Sequence, residues 1–449
     1  MITNFEIENF KSFASKQSLP FAPITLIFGP NSSGKSSIIQ SLMMLKQTLC
    51  SESKRGELIT SGDSIVLGTY ESLVNIQDNN KKMSFSLHYD GDHDAEEFKN
   101  TYSYNLLFSN SSKRSVKFEY RSFNNYSFLN KFNFSVVDKN IEKVNFTVSA
   151  PIDAGSEVLY KLDGAKSLRN AISQNYKLKS TDGNSYTKLD TELTKPFNIS
   201  GRYNLPASRN EPSSILYEYT EKVADDIGYV LDSLKYLGPL RSSPKKFYSS
   251  ETDVYQKGLG KQNLGLALRS LSVSKRDKIN KFLKEFNIPY EIDIKDLGDI
   301  NTGPLISLQL KDLRNNVVIT PKDVGFGIGQ VLPIIFEAVV SDKNSICVEQ
   351  PEIHLHPRLQ AHLADLFIDS VESGKNQWIV ETHSEALMLR IQRRIREKRI
   401  SKEMISVLYV DVGETGAQVT RISLDDDGDF TTAWPEGFFE ERLNEIFGE

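Results

Sequence analysis

The stretch Gly29, Pro30, Asn31, Ser32, Ser33, Gly34, Lys35, Ser36 and Ser37 brings together residue types that can hold a polyphosphate, at the spacing G-x-x-x-x-G-K-[ST]. In that spacing a glycine-rich turn aims backbone N–H groups at phosphate oxygens, and the helix it opens into favours negative charge at its N-terminus. The lysine, Lys35, reaches the terminal phosphates, and the hydroxyl that follows it, Ser36, ligates Mg²⁺. The motif carries this meaning only between a strand and a helix. Ile24–Phe28 before it is a short apolar run of buried-strand type, and Ile38, Ile39, Leu42, Met43 and Leu45 after it recur at helical spacing. A chance Gly/Ser turn ending in lysine would not need those flanks, so the sequence predicts a nucleoside triphosphate site with Mg²⁺.

A second stretch supplies acids. Ser345-Ile-Cys-Val-Glu349 is an apolar strand ending in a carboxylate, the form of a Walker B element, whose acid holds Mg²⁺ beside the phosphate loop. It continues as Gln350-Pro-Glu-Ile-His-Leu-His-Pro357 and, one helix and strand later, as Trp378-Ile-Val-Glu-Thr-His-Ser-Glu385. A lone histidine after a buried strand is ordinarily a core residue; in this setting His383 reads as a contact to the γ-phosphate.

The elements that must position these groups follow from periodicity. Residues 1–50 read strand, strand, phosphate loop, helix. From about 57 to 205 short alternating runs take over, at Met83–Tyr89, Thr101–Phe108, Ser115–Tyr120 and Lys143–Val148, which predicts antiparallel sheet with polar turns. Aromatic residues interleaved with lysines there could stack on nucleic acid, but alternation with period two favours a half-buried sheet. Helical spacing returns over Val223, Ile227, Val230, Leu231 and Leu234 and stops at Gly238-Pro-Leu-Arg241; a second helical stretch covers about 262–286, broken at Pro289. Strands at Leu305–Leu310 and Asn316–Thr320 lead into an alternation of strand and helix: Ser345–Glu349, Leu359–Val371, Gln377–Glu381, Ala386–Arg396, Met404–Asp411. The expected fold is α/β, a P-loop ATPase head with a mostly parallel sheet flanked by helices, an antiparallel β-subdomain and a β-rich insertion. The expected divisions are 1–56 with the phosphate loop, 57–205 as insertion, 206–300 as helical subdomain, 301–424 completing the head, and 425–449 as a small C-terminal segment.

Composition sets outer limits. The chain has 449 residues, 39% apolar and 25% charged, with a formal net charge of −5, so neither disorder nor a rod is indicated and nothing global draws it to nucleic acid. Its two cysteines, Cys50 and Cys347, lie in apolar runs and read as core thiols of a reducing compartment. The N-terminus alternates apolar and polar residues without a basic region followed by an apolar one, and no apolar run reaches the roughly 18 residues needed to cross a bilayer. A cytoplasmic protein with no membrane partner is expected.

Taken together, these motifs resemble the ABC-type ATPases of the RecF, SMC and OLD kind, which dimerise head to head around ATP. The resemblance covers about 1–50 and 235–425 and includes the opening strands, Asn4-Phe-Glu-Ile-Glu-Asn-Phe-Lys-Ser-Phe13. It implies that Gly29 to Ser37 is Walker A, that Glu349 ends Walker B, that His354-Leu-His-Pro357 stands in the D-loop region and that His383 is the switch histidine. Val324-Gly-Phe-Gly-Ile-Gly-Gln330, opening a helix at Val331, is similar to the signature loop, which in such families contacts the γ-phosphate bound by the other subunit; Gly327, Gly329 and Gln330 would make that contact. It departs from the usual Ser-Gly-Gly core. The closing stretch from Asp425 to Glu441 looks like a small domain of unknown function found on some bacterial ATPases of this group, and its acids read as a solvated turn rather than a Ca²⁺ loop.

A second departure concerns mechanism. ABC-type sites place a second acid directly after the Walker B acid, and here that position is Gln350. An amide can orient water but cannot accept its proton. Either Glu352 serves as the base, or hydrolysis is slow and the ATP-bound assembly long-lived. The leading expectation is a slow ATPase that forms a homodimer or higher oligomer and acts as a switch or scaffold for a separate effector protein, a nuclease or toxin, in bacterial anti-phage defence. The alternative is a DNA-binding ATPase of repair type, for which the basic stretch Arg390, Arg393, Arg394, Arg396, Lys398 and Arg399 is the natural contact. A catalytically silent scaffold is a third class. Too little chain follows His383 for the Toprim nuclease of OLD proteins, no heptad run or C-x-x-C hook is present, and neither Gln47 nor Gln77 stands out as a Q-loop glutamine.

Overall fold

The computed structural model describes residues 1–49, 57–91, 112–123, 126–149, 161–163, 223, 226–241, 245–249, 270–299, 303, 305–432 and 434. They fall into two units. The first comprises Met1–Pro20, Gln40–Asp232 and Val412–Gln418; the second comprises Phe21–Ile39, Ser233–Asp411 and Val419–Glu449.

The first unit is built on a seven-stranded antiparallel sheet. Its order runs Gln17–Pro20, Ile2–Glu8, Met83–Asp90, Lys113–Phe123, Tyr126–Asp138, Ile141–Ser149, Lys161–Asp163. The N-terminal strand is therefore hydrogen-bonded to the first strand of the middle region, with Phe5 opposite Leu87 and Ile7 opposite Phe85. Alternation decides what is buried in the two strands that follow, with Val116, Phe118 and Tyr120, Phe132, Phe134 and Val136 in the core, where they join Phe85 and Leu87 of Met83–Asp90, whose first five positions are all buried. Their rings pack on one another, Phe10 edge-on to Phe85 at 5.5 Å between centroids. These named aromatic residues lie in the sheet core, so none of them offers an open ring to a base. Beneath the sheet the Asp226 carboxylate pairs with the Arg114 guanidinium and accepts from the Tyr89 hydroxyl at 2.7 Å. Gln47 staples a loop, its amide donating to the Ile59 carbonyl at 2.6 Å and accepting from Ile65 N–H at 3.3 Å. The predicted strand Thr101–Phe108 and Cys50 lie outside the described residues.

The second unit carries the phosphate loop. Its principal sheet has the order Gly416–Ile422, Ile405–Gly413, Ile24–Phe28, Gln377–Glu381, Ser345–Glu349, Leu234–Leu237. The pairs from Ile405–Gly413 through to Leu234–Leu237 are parallel. Every position of Ile24–Phe28, Ser345–Glu349 and Gln377–Glu381 is buried, as two-sided coverage of a parallel sheet demands. The helices Phe326–Val340, Pro357–Gly374 and Glu385–Arg396 supply that cover, and the Trp378 indole packs at 4.4 Å from the Phe367 ring. A smaller antiparallel sheet, Phe247–Ser249, Leu305–Asp312, Tyr290–Asp296 with Val318–Ile319, joins the helix Val273–Glu285 in the same core.

Two sequence expectations change. Leu234 does not continue a helix: the helix ends at residue 232, and Leu234–Leu237 is the edge strand beside the Glu349 strand. Four apolar-rich residues fit either period, and pairing with Ser345–Val348 decides. The glycine-rich stretch before Val331 is not a loop either, because the helix opens at Phe326 and takes Gly327, Gly329 and Gln330 into its first turns. Gly327 has a packing reason to be glycine: a Cβ there would stand 2.6 Å from the His354 carbonyl oxygen.

Candidate functional site

Parallel strands put their carboxyl ends, and whatever follows them, at one edge of the sheet. Three chain segments meet there in the second unit: the loop after Phe28, the turn after Glu349 and the turn after Glu381. Strand pairing sets their spacing, with Glu349 in register with Glu381, and Glu381 with Ile27.

The first loop fits its predicted form. It leaves the strand at Gly29, whose φ of 144° and whose approach to the Val410 carbonyl admit no side chain, since a Cβ would sit 2.1 Å from that oxygen. Ser32 and Gly34 also have positive φ, 64° and 109°, and the helix Lys35–Leu49 begins at once. The Lys35 ammonium is buried and folds back on the loop, donating to the carbonyls of Gly29 at 2.9 Å and Pro30 at 2.6 Å. Burial lowers its pKa, and the charges of Glu381 and Glu352 oppose that shift.

The Ser36 hydroxyl donates to Glu381 Oε1 at 3.0 Å, so the hydroxyl's carboxylate partner is Glu381 and not Glu349, the acid expected from the sequence. Glu349 instead accepts from the Tyr236 hydroxyl at 3.1 Å, and burial beside that carboxylate pushes the phenol up. Burial raises the Glu381 carboxyl as well, against the Ser36 hydrogen bond and Lys35. The backbone of Gln350 sits at φ 43°, its N–H donating to the Glu381 carbonyl at 2.8 Å. A non-glycine residue there stores strain, which the strand pairing on both sides holds in place.

Glu352 is engaged through both oxygens. Oε1 accepts from His383 N–H at 2.7 Å and Oε2 from the Thr382 hydroxyl at 2.8 Å. Thr382 Oγ1 accepts in turn from Ser384 N–H, and Ser384 caps the helix Glu385–Arg396 by accepting from Leu387 N–H. The turn that carries His383 is thus fixed at both ends. Burial, and then Lys35, lower the His383 pKa, which keeps the imidazole neutral at pH 7.

The other predicted residues lie elsewhere in this unit. The Gln330 side chain is buried, accepting from Arg241 N–H at 2.9 Å and donating to the Arg241 carbonyl, while the Arg241 guanidinium donates to the carbonyls of Gln330, Gly238 and Glu349 at 3.0 Å each. That arginine ties the helix Phe326–Val340 to the end of the strand Ser345–Glu349; burial brings its pKa down to about 10. His356 caps the helix Pro357–Gly374, its ring accepting from Arg358 N–H at 3.3 Å, with Pro357 in the first turn. The basic stretch after His383 is paired with acids throughout: Arg390 and Arg394 with Asp365, Arg393 with Glu397, Arg396 with Asp429, Lys398 with Asp427, Arg399 with Glu372. The acidic turn near the C-terminus is closed by Asp425, whose Oδ1 accepts from Asp427 and Asp429 N–H. Glu381 and Tyr236 were not singled out by the sequence motifs.

The donor set fits a metal-bearing polyphosphate. Ser33 Oγ, Glu381 Oε2 and His383 Nε2 are buried and have no hydrogen-bond partner in the protein. Such atoms are costly unless a ligand satisfies them. Lys35, Ser33 and the loop N–H groups suit phosphate oxygens, whereas three carboxylates, Glu349, Glu352 and Glu381, would repel them without a divalent cation between.

Among solved structures, the chain aligns over 95% of its length with 98% of an SMC head bound to the C-winged helix domain of ScpA, at 14% identity and a TM-score of 0.44. It aligns over all of its length with 98% of an SMC head with an extended coiled coil bound to the C-terminal domain of ScpA derived from Pyrococcus furiosus, at 11% identity and a TM-score of 0.45. An OLD nuclease of Thermus scotoductus (strain ATCC 700910 / SA-01) is 28% identical over 109 residues, 22% of this chain and 21% of that protein, so the match spans about a fifth of the relative's length. Among the described residues no helix is long and apolar enough to cross a membrane. A family model described as the AAA ATPase domain matches residues 1–388, in keeping with the strand-loop-helix geometry at Gly29–Ser37: the chain belongs to the AAA ATPase domain family.

Proposed function

We propose that this chain binds ATP with Mg²⁺ at the Gly29–Ser37 loop, hydrolyses it slowly, and works as an ATP-dependent switch on a separate partner. The observation that carries this reading is a set of buried polar atoms that the protein leaves unsatisfied: Ser33 Oγ on the loop itself, and Glu381 Oε2 and His383 Nε2 on side chains within electrostatic reach of Lys35.

Each residue then has a part. The N–H groups from Gly29 to Ser37, with Pro30, Asn31, Ser32 and Gly34 shaping the turn, cradle the phosphates, and Lys35 exchanges the carbonyls of Gly29 and Pro30 for phosphate oxygens. Ser36 and Glu349 hold the cation's shell. When bound, the ion neutralises the charge that develops on the phosphates. His383, neutral and with a free ring nitrogen, hydrogen-bonds at the terminal phosphate. Gly327, Gly329 and Gln330 lie in a helix N-terminus that would meet the nucleotide of a second copy, Gln330 by fixing that helix to Arg241 rather than by direct contact.

Two features favour slow turnover. Gln350 has no basic group to take a proton from water, and Glu352 is oriented by a hydrogen bond on each oxygen from the His383 turn. A bound state that outlasts its formation suits a switch that dimerises around ATP and releases an effector on hydrolysis. The likeness of about a fifth of the chain to an OLD nuclease supports a nuclease as that effector, and a toxin or a cytoplasmic anti-phage setting belongs to the same proposal by analogy alone. The DNA-binding alternative is weakened by the ion pairs that occupy every basic residue of the Arg390–Arg399 stretch.

Calorimetric titration of ATP with Mg²⁺, combined with light-scattering mass with and without ATP, tests the proposal. Wild type should bind and gain mass with ATP, and Lys35→Ala should do neither. A wild-type protein that binds no ATP, or binds it with no change of mass, would overturn the switch.

A further inference from the structure

Glu381 stands one strand nearer the phosphate loop than the Walker B acid. The order across the sheet edge is Ile27, Glu381, Glu349, fixed by parallel register on both sides. Its side chain is 2% exposed. One oxygen, Oε1, accepts the Ser36 proton at 3.0 Å; the other, Oε2, has no partner in the protein. No arginine or lysine is within ion-pair distance of it among the described residues, and Lys35 is turned to the carbonyls of Gly29 and Pro30. A buried carboxylate satisfied at only one oxygen is an expensive group to keep in a core. A hard divalent cation, which seeks carboxylate and hydroxyl oxygen, removes that cost.

Building on the nucleotide reading above, we propose that Glu381 is the principal protein carboxylate for the nucleotide's divalent cation, acting with Ser36, while Glu349 is the outer member of the pair. Ser36 serves both: its proton goes to Glu381, which leaves its lone pairs to the ion. Glu349, one strand further from the loop, already accepts from Tyr236 and takes the more distant position. The assignment explains why the Walker A hydroxyl and the Walker B acid are not hydrogen-bonded partners here.

The test is Mn²⁺ binding, followed by electron paramagnetic resonance, to the full chain saturated with a non-hydrolysable ATP analogue. Wild type, Glu381→Gln, Glu381→Asp and Glu349→Gln are compared, and the analogue's own affinity is measured in EDTA. Glu381→Gln should weaken Mn²⁺ binding at least tenfold and more than Glu349→Gln does, with Glu381→Asp between it and wild type. In EDTA the analogue should bind Glu381→Gln more tightly than wild type, because one negative charge facing the phosphates is gone. Should the amide variant fail to fold by circular dichroism, Glu381→Asp decides alone, with at least a threefold loss expected. Mn²⁺ affinity within twofold of wild type in a folded variant that binds the analogue would overturn the proposal and leave the nucleotide site standing. A wild-type chain that does not bind the analogue would remove both.

Discussion

Glu352 and His383 are joined through the backbone: the His383 N–H donates to Glu352 Oε1 at 2.7 Å, while the neighbouring Thr382 hydroxyl takes Oε2. The acid two residues past Gln350 therefore shapes the turn that carries His383. A carboxylate held through both oxygens is oriented by the turn it braces. Glu352→Gln places an amide N–H₂ against a donor, and leaving one buried partner unsatisfied costs about 1–3 kcal/mol. Urea unfolding should show a loss in that range, and phosphate release should fall without loss of ATP binding. Unaltered stability together with abolished turnover would identify Glu352 as the base instead.

Gly29 is needed for two separate reasons, its φ of 144° and the 2.1 Å approach of a Cβ to the Val410 carbonyl oxygen. Gly29→Ala should lose about 3 kcal/mol or more, strain and overpacking acting together. Gly325, which has nothing within 4 Å of the Cβ position, is the contrast: Gly325→Ala gives up only the N-cap preference, about 1 kcal/mol or less. Thermal melts of both variants check the contrast.

His362 gives the protein an acid-side weakness. Burial, chiefly, and then the charges of Arg390 and Arg358 lower its pKa below the usual value, with Asp365 and Glu285 opposing. A histidine whose folded pKa is depressed stabilises the fold while neutral. That contribution is present above the unfolded pKa of about 6.5 and is lost as pH falls through the folded pKa. Guanidinium midpoints should therefore drop between pH 7.5 and 5.5, and His362→Gln should reduce the drop. An equal drop in the variant would place the acid sensitivity elsewhere.

Much of this site is visible in the chain because its logic is local. Gly29 to Ser37 carries strand, turn and helix signals within about twenty residues, and the apolar runs of Ser345–Glu349 and Gln377–Glu381 match their strands residue for residue. What the sequence hides depends on register between distant segments. Ser36 and Glu381 are 345 positions apart, and only the parallel pairing of Glu381 with Ile27 brings the carboxylate to the hydroxyl. Tyr236 was obscured for a related reason: Leu234–Leu237 is too short for its period to separate strand from helix. Glycines at 325, 327 and 329 read as a loop, since glycine disfavours helix, yet packing against the His354 carbonyl and the buried Val331–Val339 face outweighs about 1 kcal/mol per glycine.

Gln350 provides the most direct measurement. Steady-state phosphate release should be compared for wild type, Lys35→Ala and Gln350→Glu. An ATP-latched switch predicts wild-type turnover below about one per minute, far under the ordinary enzyme range. Lys35→Ala should then show none, and Gln350→Glu should be faster than wild type by roughly tenfold or more, as a restored proton acceptor allows. Brisk wild-type turnover that Gln350→Glu does not increase would contradict the latch.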